Sequence, residues 1–373
     1  MAICLSIGGT TTYSEQSPVE EVLIGTVSGV WTIKRDKSRQ WAVAGHSLPG
    51  CHIHALVAEP TSGLFFAGVH KGTVYASGDH GQNWELRDQG LTQKNVYCLN
   101  YTNVDGKVKL YAGTEPAHLF ESDDLGMTWN ELGSLRSVPS MPNWTFPAPP
   151  NQAHVKNVAF DPTDPSTIYA CVEQGGLFRS KDAGSTWEEI HGFDTDLPFE
   201  MPEGSAPDDL HRILVRPSNP KRFYICGGFG LCHTADGGAR WEHLTTPAMR
   251  IGYPDALLIN PRNEDLMFMA GAVNNPRFWR DTHDANATIA RSRDSGKTWS
   301  LLQNGLPLHM RAHVPAMALV VNGKTLELFA GTTDGEIFFS NNEGDDWTKI
   351  VNTSPLSKAG HYIMLGAANK VSQ

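Results

Sequence analysis

The stretch Ser77-Gly78-Asp79-His80-Gly81-Gln82-Asn83-Trp84 decides the fold, because its pattern recurs along the chain. Five further plain copies end at Trp129, Trp187, Trp241, Trp299 and Trp347. A worn copy runs from Asp36 to Trp41 and has Ser38 where the others have glycine. Repeats spaced by roughly 40 to 60 residues indicate a propeller or a solenoid, whose units bury their apolar faces against one another.

The repeated phrase resembles the Asp-box, or BNR repeat, of sialidase-like β-propellers. Serine and aspartate side chains bond to nearby backbone in tight turns, glycine permits positive φ, and tryptophan packs between sheets. We therefore expect the boxes to be structural hairpin turns whose acids have no catalytic role. The fold class implied is all-β, a seven-bladed propeller that forms one domain over residues 1–373.

The spacing of strand-like runs predicts four strands in each blade. The first blade lacks an inner strand, because residues 21–25 already read as its second strand. A spare run, residues 361–366, follows the last box. We predict that this C-terminal strand completes the N-terminal blade and closes the ring as one plus three strands, which removes open sheet edges.

Composition excludes several classes of partner. The 373 residues carry a net charge of -10 with scattered lysines and arginines, so neither nucleic acid nor an anionic membrane is expected to bind. No apolar run is long enough to span a bilayer, and the first residues lack the features of an export signal. We expect a cytoplasmic protein whose six cysteines are reduced core residues.

Histidine recurs at the entry ends of the inner strands, which line the central channel of a propeller. Because side chains alternate along a strand, we expect His52 and His54 to share one face, and likewise Asp209 and His211. Neutral imidazoles from several blades suit a divalent transition metal such as Zn, Fe, Mn or Cu. The predicted ligands are His52, His54, His154, His211, His313 and His361. The alternative is a polar, water-filled channel.

Further candidates lie at the channel entry and in loops on the same face. Glu115 and Glu173 are predicted as a general base or a carboxylate ligand, and Asp255 as a third catalytic acid. The run from Arg277 to Arg280 joins guanidinium to aromatic surface, which suits an anionic or aromatic small molecule or a subunit contact. The predicted substrate-binding residues are His70, His118, Arg277, Trp279, Arg280, Arg311, Tyr97 and Trp144.

These residues favour a metal-dependent enzyme, most simply a hydrolase that uses metal-activated water on a small molecule at the channel mouth. A histidine-ligated Fe(II) or Cu oxygenase or a lyase would use the same parts. A non-catalytic binding or assembly propeller is the rival class, and the oligomeric state is left open.

The family resemblance implies other activities. A sialidase-like glycoside hydrolase is a further alternative. The Arg-Ile-Pro motif that sialidases of this type carry is absent here, which argues against sialidase activity itself. Photosystem assembly factors with the same repeats are scaffolds. Large xyloglucan-cleaving enzymes have two such propellers and a pair of catalytic aspartates, whereas this chain has one propeller.

Overall fold

The strands form seven separate sheets, which are the seven blades of a β-propeller. The structure is a computed structural model that describes residues 2–104, 106–147, 149–193, 208–279, 282–323 and 325–356. Six of the sheets have four strands and one has five. The predicted fold class is therefore confirmed.

The strands follow one another from blade to blade in chain order. Blade 1 contains β1 (Ala2–Leu5), β3 (Glu21–Thr26), β4 (Gly29–Arg35) and β5 (Trp41–Ser47), and blade 2 contains β6 (His52–Glu59), β7 (Leu64–His70), β8 (Val74–Ser77) and β9 (Glu85–Leu86). Blade 3 contains β10 (Asn95–Val104), β11 (Lys107–Glu115), β12 (Leu119–Ser122) and β13 (Asn130–Glu131), and blade 4 contains β14 (His154–Asp161), β15 (Asp164–Glu173), β16 (Gly176–Ser180) and β17 (Glu188–Ile190).

The remaining three blades repeat this order. Blade 5 contains β18 (Leu210–Val215), β19 (Phe223–Gly227), β20 (Gly230–Thr234) and β21 (Glu242–His243), and blade 6 contains β22 (Tyr253–Asn260), β23 (Asn263–Ala272), β24 (Thr288–Ser292) and β25 (Ser300–Leu302). Blade 7 contains β26 (Ala316–Asn322), β27 (Thr325–Gly331), β28 (Glu336–Ser340) and β29 (Thr348–Asn352), with β2 (Thr12–Glu15) as a fifth strand. The short helices are α1 (Pro276–Trp279) and the 3-10 turns Gly133–Ser137, Met141–Asn143 and Pro247–Met249.

The apolar core lies between neighbouring sheets, so both faces of a blade are buried. Successive side chains of a strand point to opposite faces, yet Leu328 and Phe329 of β27 are both inaccessible to solvent. Leu328 packs with the apolar residues of blade 6, and Phe329 packs with those of blade 1. No helix in the described ranges is long and apolar enough to cross a bilayer.

The ring is tied together by the first residues of the chain. Strand β1 pairs in parallel with β3 and takes the innermost place in blade 1, while β2 pairs in parallel with β26 of blade 7. The predicted closure by the C-terminal strand is not confirmed, because β1 already holds the position beside β3. Residues 361–366 lie outside the described ranges.

Polar contacts reinforce the junction between blades 1 and 7. The Arg35 guanidinium lies 2.8 Å from Glu327 Oε1, and the backbone N–H of Val19 donates to Glu327 Oε2 at 2.9 Å. Glu327 is buried, so these donors offset the loss of its hydration. The junction is thus a buried polar clamp as well as a pair of parallel strands.

The repeated turns are held by their own side chains, as the sequence predicts. In blade 3, Ser122 Oγ donates to Asp124 Oδ1 at 2.8 Å and accepts the backbone N–H of Gly126 at 2.8 Å. Asp124 Oδ1 in turn accepts the backbone N–H of Thr128 at 2.8 Å. Gly126 has a φ of +81°, a conformation that glycine adopts without strain.

The buried hydroxyl of this turn gives a test of its structural role. We expect Ser122→Ala to lower the free energy of unfolding by about 1–3 kcal/mol, because the buried N–H of Gly126 loses its acceptor. Urea unfolding followed by circular dichroism measures the change. Asp123→Asn is the matched control, since Asp123 is exposed and outside these bonds, and an equal loss in both variants would contradict the assignment.

Candidate active site

Blades 2 to 6 share one irregularity where their inner strands enter the channel. In each, the antiparallel register between the inner strand and the next strand slips by one residue, which is the signature of a β-bulge. The residues outside the ladder register are His54, Tyr97, Lys156, His211 and Asp255. A bulge re-aims a side chain, so one equivalent position in five blades supplies the polar lining of the channel.

The bulges correct the expectation of simple alternation at the strand entry. His52 still pairs with His70 in the ladder, whereas His54 stands at the bulge. Its Nδ1 lies 2.7 Å from the backbone oxygen of Tyr97 in the next blade. The same link recurs at His211, whose Nδ1 lies 2.6 Å from the backbone oxygen of Pro254. Each of these imidazoles therefore bonds to the neighbouring blade.

A buried lysine lies between two carboxylates at the centre of the channel. Lys156 Nζ is 2.7 Å from Glu173 Oε2 and 3.6 Å from Asp255 Oδ1, and all three side chains are at most 4% exposed. Burial alone raises the pKa of Glu173, but Lys156 and His154 outweigh it and hold the pKa well below its ordinary value. Burial alone lowers the pKa of Lys156, but Glu173 and Asp255 outweigh it and raise that pKa.

Two of the predicted histidine ligands bond directly to these acids. His154 Nε2 lies 2.6 Å from Glu173 Oε2, and His313 Nε2 lies 2.5 Å from Asp255 Oδ2. Both imidazoles are fully enclosed. The Nε2 atoms of these two rings therefore contact carboxylates.

The blade 2 and blade 3 side of the channel is aromatic. The Tyr97 ring lies 3.9 Å from the His154 ring and 4.6 Å from the His54 ring, measured between centroids. His70 lies 4.9 Å from His52 and 5.7 Å from Tyr97. Burial, aided by His52, holds the pKa of His54 well below its ordinary value, so this imidazole is neutral. Tyr97 and His70 thus lie near the predicted ligands.

The other predicted substrate-binding residues are more dispersed. Trp279 is buried and stacks on His313 at 5.4 Å, whereas Arg277 and Arg311 are exposed. His118 Nδ1 bonds to Glu131 in the outer strand of blade 3 at 2.7 Å. Trp144 packs on Phe178 and lines a separate groove of about 110 Å³. Arg280 lies outside the described residues.

The described residues do not assemble a metal site made of six histidines. One group offers three ligand atoms within 4.8 Å of one another, and it consists of Glu173, Asp209 and His211. Of its members, His211 belongs to the predicted histidine ligands, and Glu173 is predicted as a general base or a carboxylate ligand. His361 lies outside the described residues.

Sequence reasoning missed Lys156, which lies in the same polar channel as the buried Arg212. Arg212 is buried, and its Nη2 donates to the backbone oxygen of Ile7 at 2.6 Å. Both basic residues stand in strands whose neighbours are mostly apolar, Val155 and Val158 around Lys156 and Ile213 beside Arg212. An ionisable group inside an apolar strand is costly unless it is paired, and that is the signal that could have identified Lys156.

Several curated proteins similar to this chain are named xyloglucanases. No protein-family model matches the chain. The xyloglucanase Xgh74A of Acetivibrio thermocellus is 25% identical over 245 residues, which cover 57% of this chain and 28% of that enzyme. The chain therefore spans about a quarter of the length of this relative.

Solved structures show the same fold. The GH74 xyloglucanase of Xanthomonas campestris matches with a TM-score of 0.60 at 20% identity, covering 93% of this chain and 55% of that one. YCF48 of Cyanidioschyzon merolae matches with a TM-score of 0.55 at 14% identity, covering 88% of this chain and 98% of that one. Both support a propeller.

These comparisons correct the predicted function. The curated relatives are named xyloglucanases, which are glycoside hydrolases and not metal-dependent hydrolases of small molecules. The prediction of a metal-dependent small-molecule hydrolase is wrong. It treated converging histidines as a sufficient sign of catalytic metal, although carboxylates converge on the same channel. Of the predicted alternatives, a sialidase-like glycoside hydrolase is closest in kind to these relatives.

The charge cluster predicts a large effect for one substitution. We expect Lys156→Met to lower the free energy of unfolding at pH 7 by about 3–5 kcal/mol, because it leaves the buried Glu173 carboxylate without its ammonium partner. Urea unfolding measures the difference. Lys94→Met is the control: Lys94 pairs with Asp88 at an exposed site, so its loss costs at most about 1 kcal/mol. Equal effects would contradict a buried ion pair.

The lowered pKa of Glu173 also predicts the pH dependence of stability. A carboxyl whose folded pKa is depressed stabilises the fold fully above its unfolded pKa, which is about 4.5 for glutamate. It loses that contribution as the pH falls through the folded pKa. In Lys156→Met the folded pKa rises, so the loss begins at a higher pH. Urea unfolding of both proteins between about pH 3 and 7 checks this. Parallel profiles would show that Lys156 does not act on Glu173.

Proposed function

We propose that the chain is a glycoside hydrolase that cleaves a polysaccharide of the xyloglucan type at the channel face. The observation that carries the proposal is the similarity over 245 residues to an enzyme named a xyloglucanase. The hydrogen-bonded turns also support the resemblance to Asp-box propellers, a group in which glycoside hydrolases occur.

The channel supplies the groups that this reaction needs. Glycoside hydrolysis uses two carboxyl groups, one that protonates the leaving oxygen and one that activates water or attacks the sugar. Four acids line the channel face, and they differ in access. The side chains of Glu173 and Asp255 are 1% exposed, whereas those of Glu115 and Asp209 are 9% and 11% exposed.

We assign the two reacting roles by how accessible each carboxyl group is to solvent. A sugar at the mouth reaches Glu115 and Asp209 first, so we assign the two reacting carboxyl groups to these residues. Asn95 Nδ2 donates to Glu115 Oε1 at 3.2 Å and orients it. Glu173 lies beneath them, ionised beside Lys156, and holds His154 in place. It contributes a fixed negative charge under the site, which favours the positive charge that develops on the sugar.

The proposal is tested by incubating the purified chain with xyloglucan, mixed-linkage β-glucan and cellulose and measuring new reducing ends. We expect hydrolysis of xyloglucan. Glu115→Gln and Asp209→Asn should each lower kcat by about 100-fold or more, because each removes a group that transfers a proton or attacks. The fold of each variant is checked by circular dichroism.

Glu85→Gln is the matched control. Glu85 is an exposed acid in the outer strand of blade 2, far from the channel, so its amide variant should retain wild-type kcat. If the folded wild-type chain releases no reducing ends from any of the three glucans, the proposed function is wrong. If Glu115→Gln and Asp209→Asn match the control, the assigned residues are wrong.

A further inference from the structure

The imidazole of His211 has one nitrogen, Nε2, whose neighbours in the channel are acceptor atoms. His211 Nδ1 lies 2.6 Å from the carbonyl oxygen of Pro254, which can only accept, so Nδ1 carries the proton. In the neutral ring Nε2 is then unprotonated and carries a lone pair. The side chain is fully enclosed, and among the described residues Nε2 has no hydrogen-bond partner.

The atoms opposite this nitrogen are carboxylate oxygens. His211 Nε2 lies 3.3 Å from Asp209 Oδ1 and 3.8 Å from Glu173 Oε1. Asp209 Oδ1 is also buried without a hydrogen-bond partner within the described part of the chain. Three lone-pair atoms that face one another in a buried space are unfavourable unless a metal ion or a proton lies between them.

The nearby basic residues are engaged elsewhere. Lys156 contacts Oε2 of Glu173, whereas Oε1 faces His211. Arg212 donates to the backbone oxygens of Ile7 and Asp255. Around the cluster, three carboxylates (those of Glu173, Asp209 and Asp255) stand against these two basic groups. The net charge of these five groups is therefore negative, which favours the binding of another cation.

We propose that Glu173, Asp209 and His211 bind one divalent transition-metal ion, with Zn²⁺ and Mn²⁺ as the best matches. Metal–ligand bonds of about 2.0–2.2 Å place ligand atoms within roughly 4.4 Å of one another. The distances of 3.3 Å and 3.8 Å from His211 Nε2 to the two carboxylates lie inside that limit. A ligating imidazole commonly donates its other N–H to a carbonyl, as His211 does to Pro254. One imidazole with two carboxylates suits Zn²⁺ or Mn²⁺ better than Ca²⁺.

This ion is not a cofactor of the proposed hydrolysis. It occupies Asp209, one of the two assigned reacting residues, so binding of Zn²⁺ should inhibit cleavage of the polysaccharide. This consequence rests on the proposed function. The binding site itself does not, because its ligands are argued from contacts within the channel alone.

Direct binding measurements test the site. The full chain is stripped with EDTA, exchanged into metal-free buffer at neutral pH and titrated with ZnCl₂ by calorimetry, and Mn²⁺ binding is followed by electron paramagnetic resonance. We expect one ion per chain. Asp209→Asn and His211→Gln should each weaken Zn²⁺ binding by about 100-fold, because each removes a ligand atom.

Asp284→Asn is the matched control. Asp284 forms another aspartate–histidine contact, 2.8 Å from His309, at an exposed site, so this variant should bind Zn²⁺ as the wild type does. Circular dichroism and the Tm of the metal-free protein report whether each variant is folded. All variants keep the same cysteines, so thiol binding contributes equally to each.

The outcomes separate the two proposals. The site is overturned if the wild type binds Zn²⁺ no more tightly than folded Asp209→Asn does. It is also overturned if the wild type binds neither ion. Tight Zn²⁺ binding without hydrolysis of any glucan supports the site and rejects the proposed function. Hydrolysis that Zn²⁺ does not inhibit, despite binding, overturns the shared role of Asp209.

Discussion

A one-residue bulge at the entry of the inner strand is the feature on which the channel depends. A regular strand sends alternate side chains to its two faces, and in this fold both faces are packed against neighbouring blades. An inner strand without a bulge would therefore turn these polar side chains into the apolar layers between sheets. The bulge frees one residue in each of blades 2 to 6 from that packing and directs it at the axis.

The same feature links the blades to one another. The bulge exposes backbone oxygens that accept from the imidazole of the preceding blade, as Tyr97 does from His54 and Pro254 does from His211. The charges then organise around these fixed groups, with Lys156 between the acids of blades 4 and 6. Because the pairs are enclosed, removing one member leaves the other without compensation. The polar channel is thus a connected part of the fold, and its geometry is set before any ligand arrives.

The sequence predicts the parts of this structure that are governed by local chemistry. The turn at Ser122 and Asp124 is determined by residues within one short segment, so its recurrence gives the number of blades. Ring closure could not be predicted, because β1 and β2 are short and their parallel partners are distant in the chain. The bulges leave no trace in the apolar pattern, since a slip of one residue changes register and not composition. Histidines were recognised in the channel, but their acidic partners come from other strands, and Lys156 was hidden in an apolar run.

The pairing of Thr12 with Leu319 has a consequence for how the chain acquires its shape. These two residues are separated by almost the whole described sequence, so the contact carries a large entropic cost until everything between them is organised. Early in synthesis, β2 has no partner, and its exposed backbone edge must stay unpaired while the later blades emerge from the ribosome. Topologies dominated by such remote contacts fold slowly. Pairing of β2 therefore waits until blade 7 has formed.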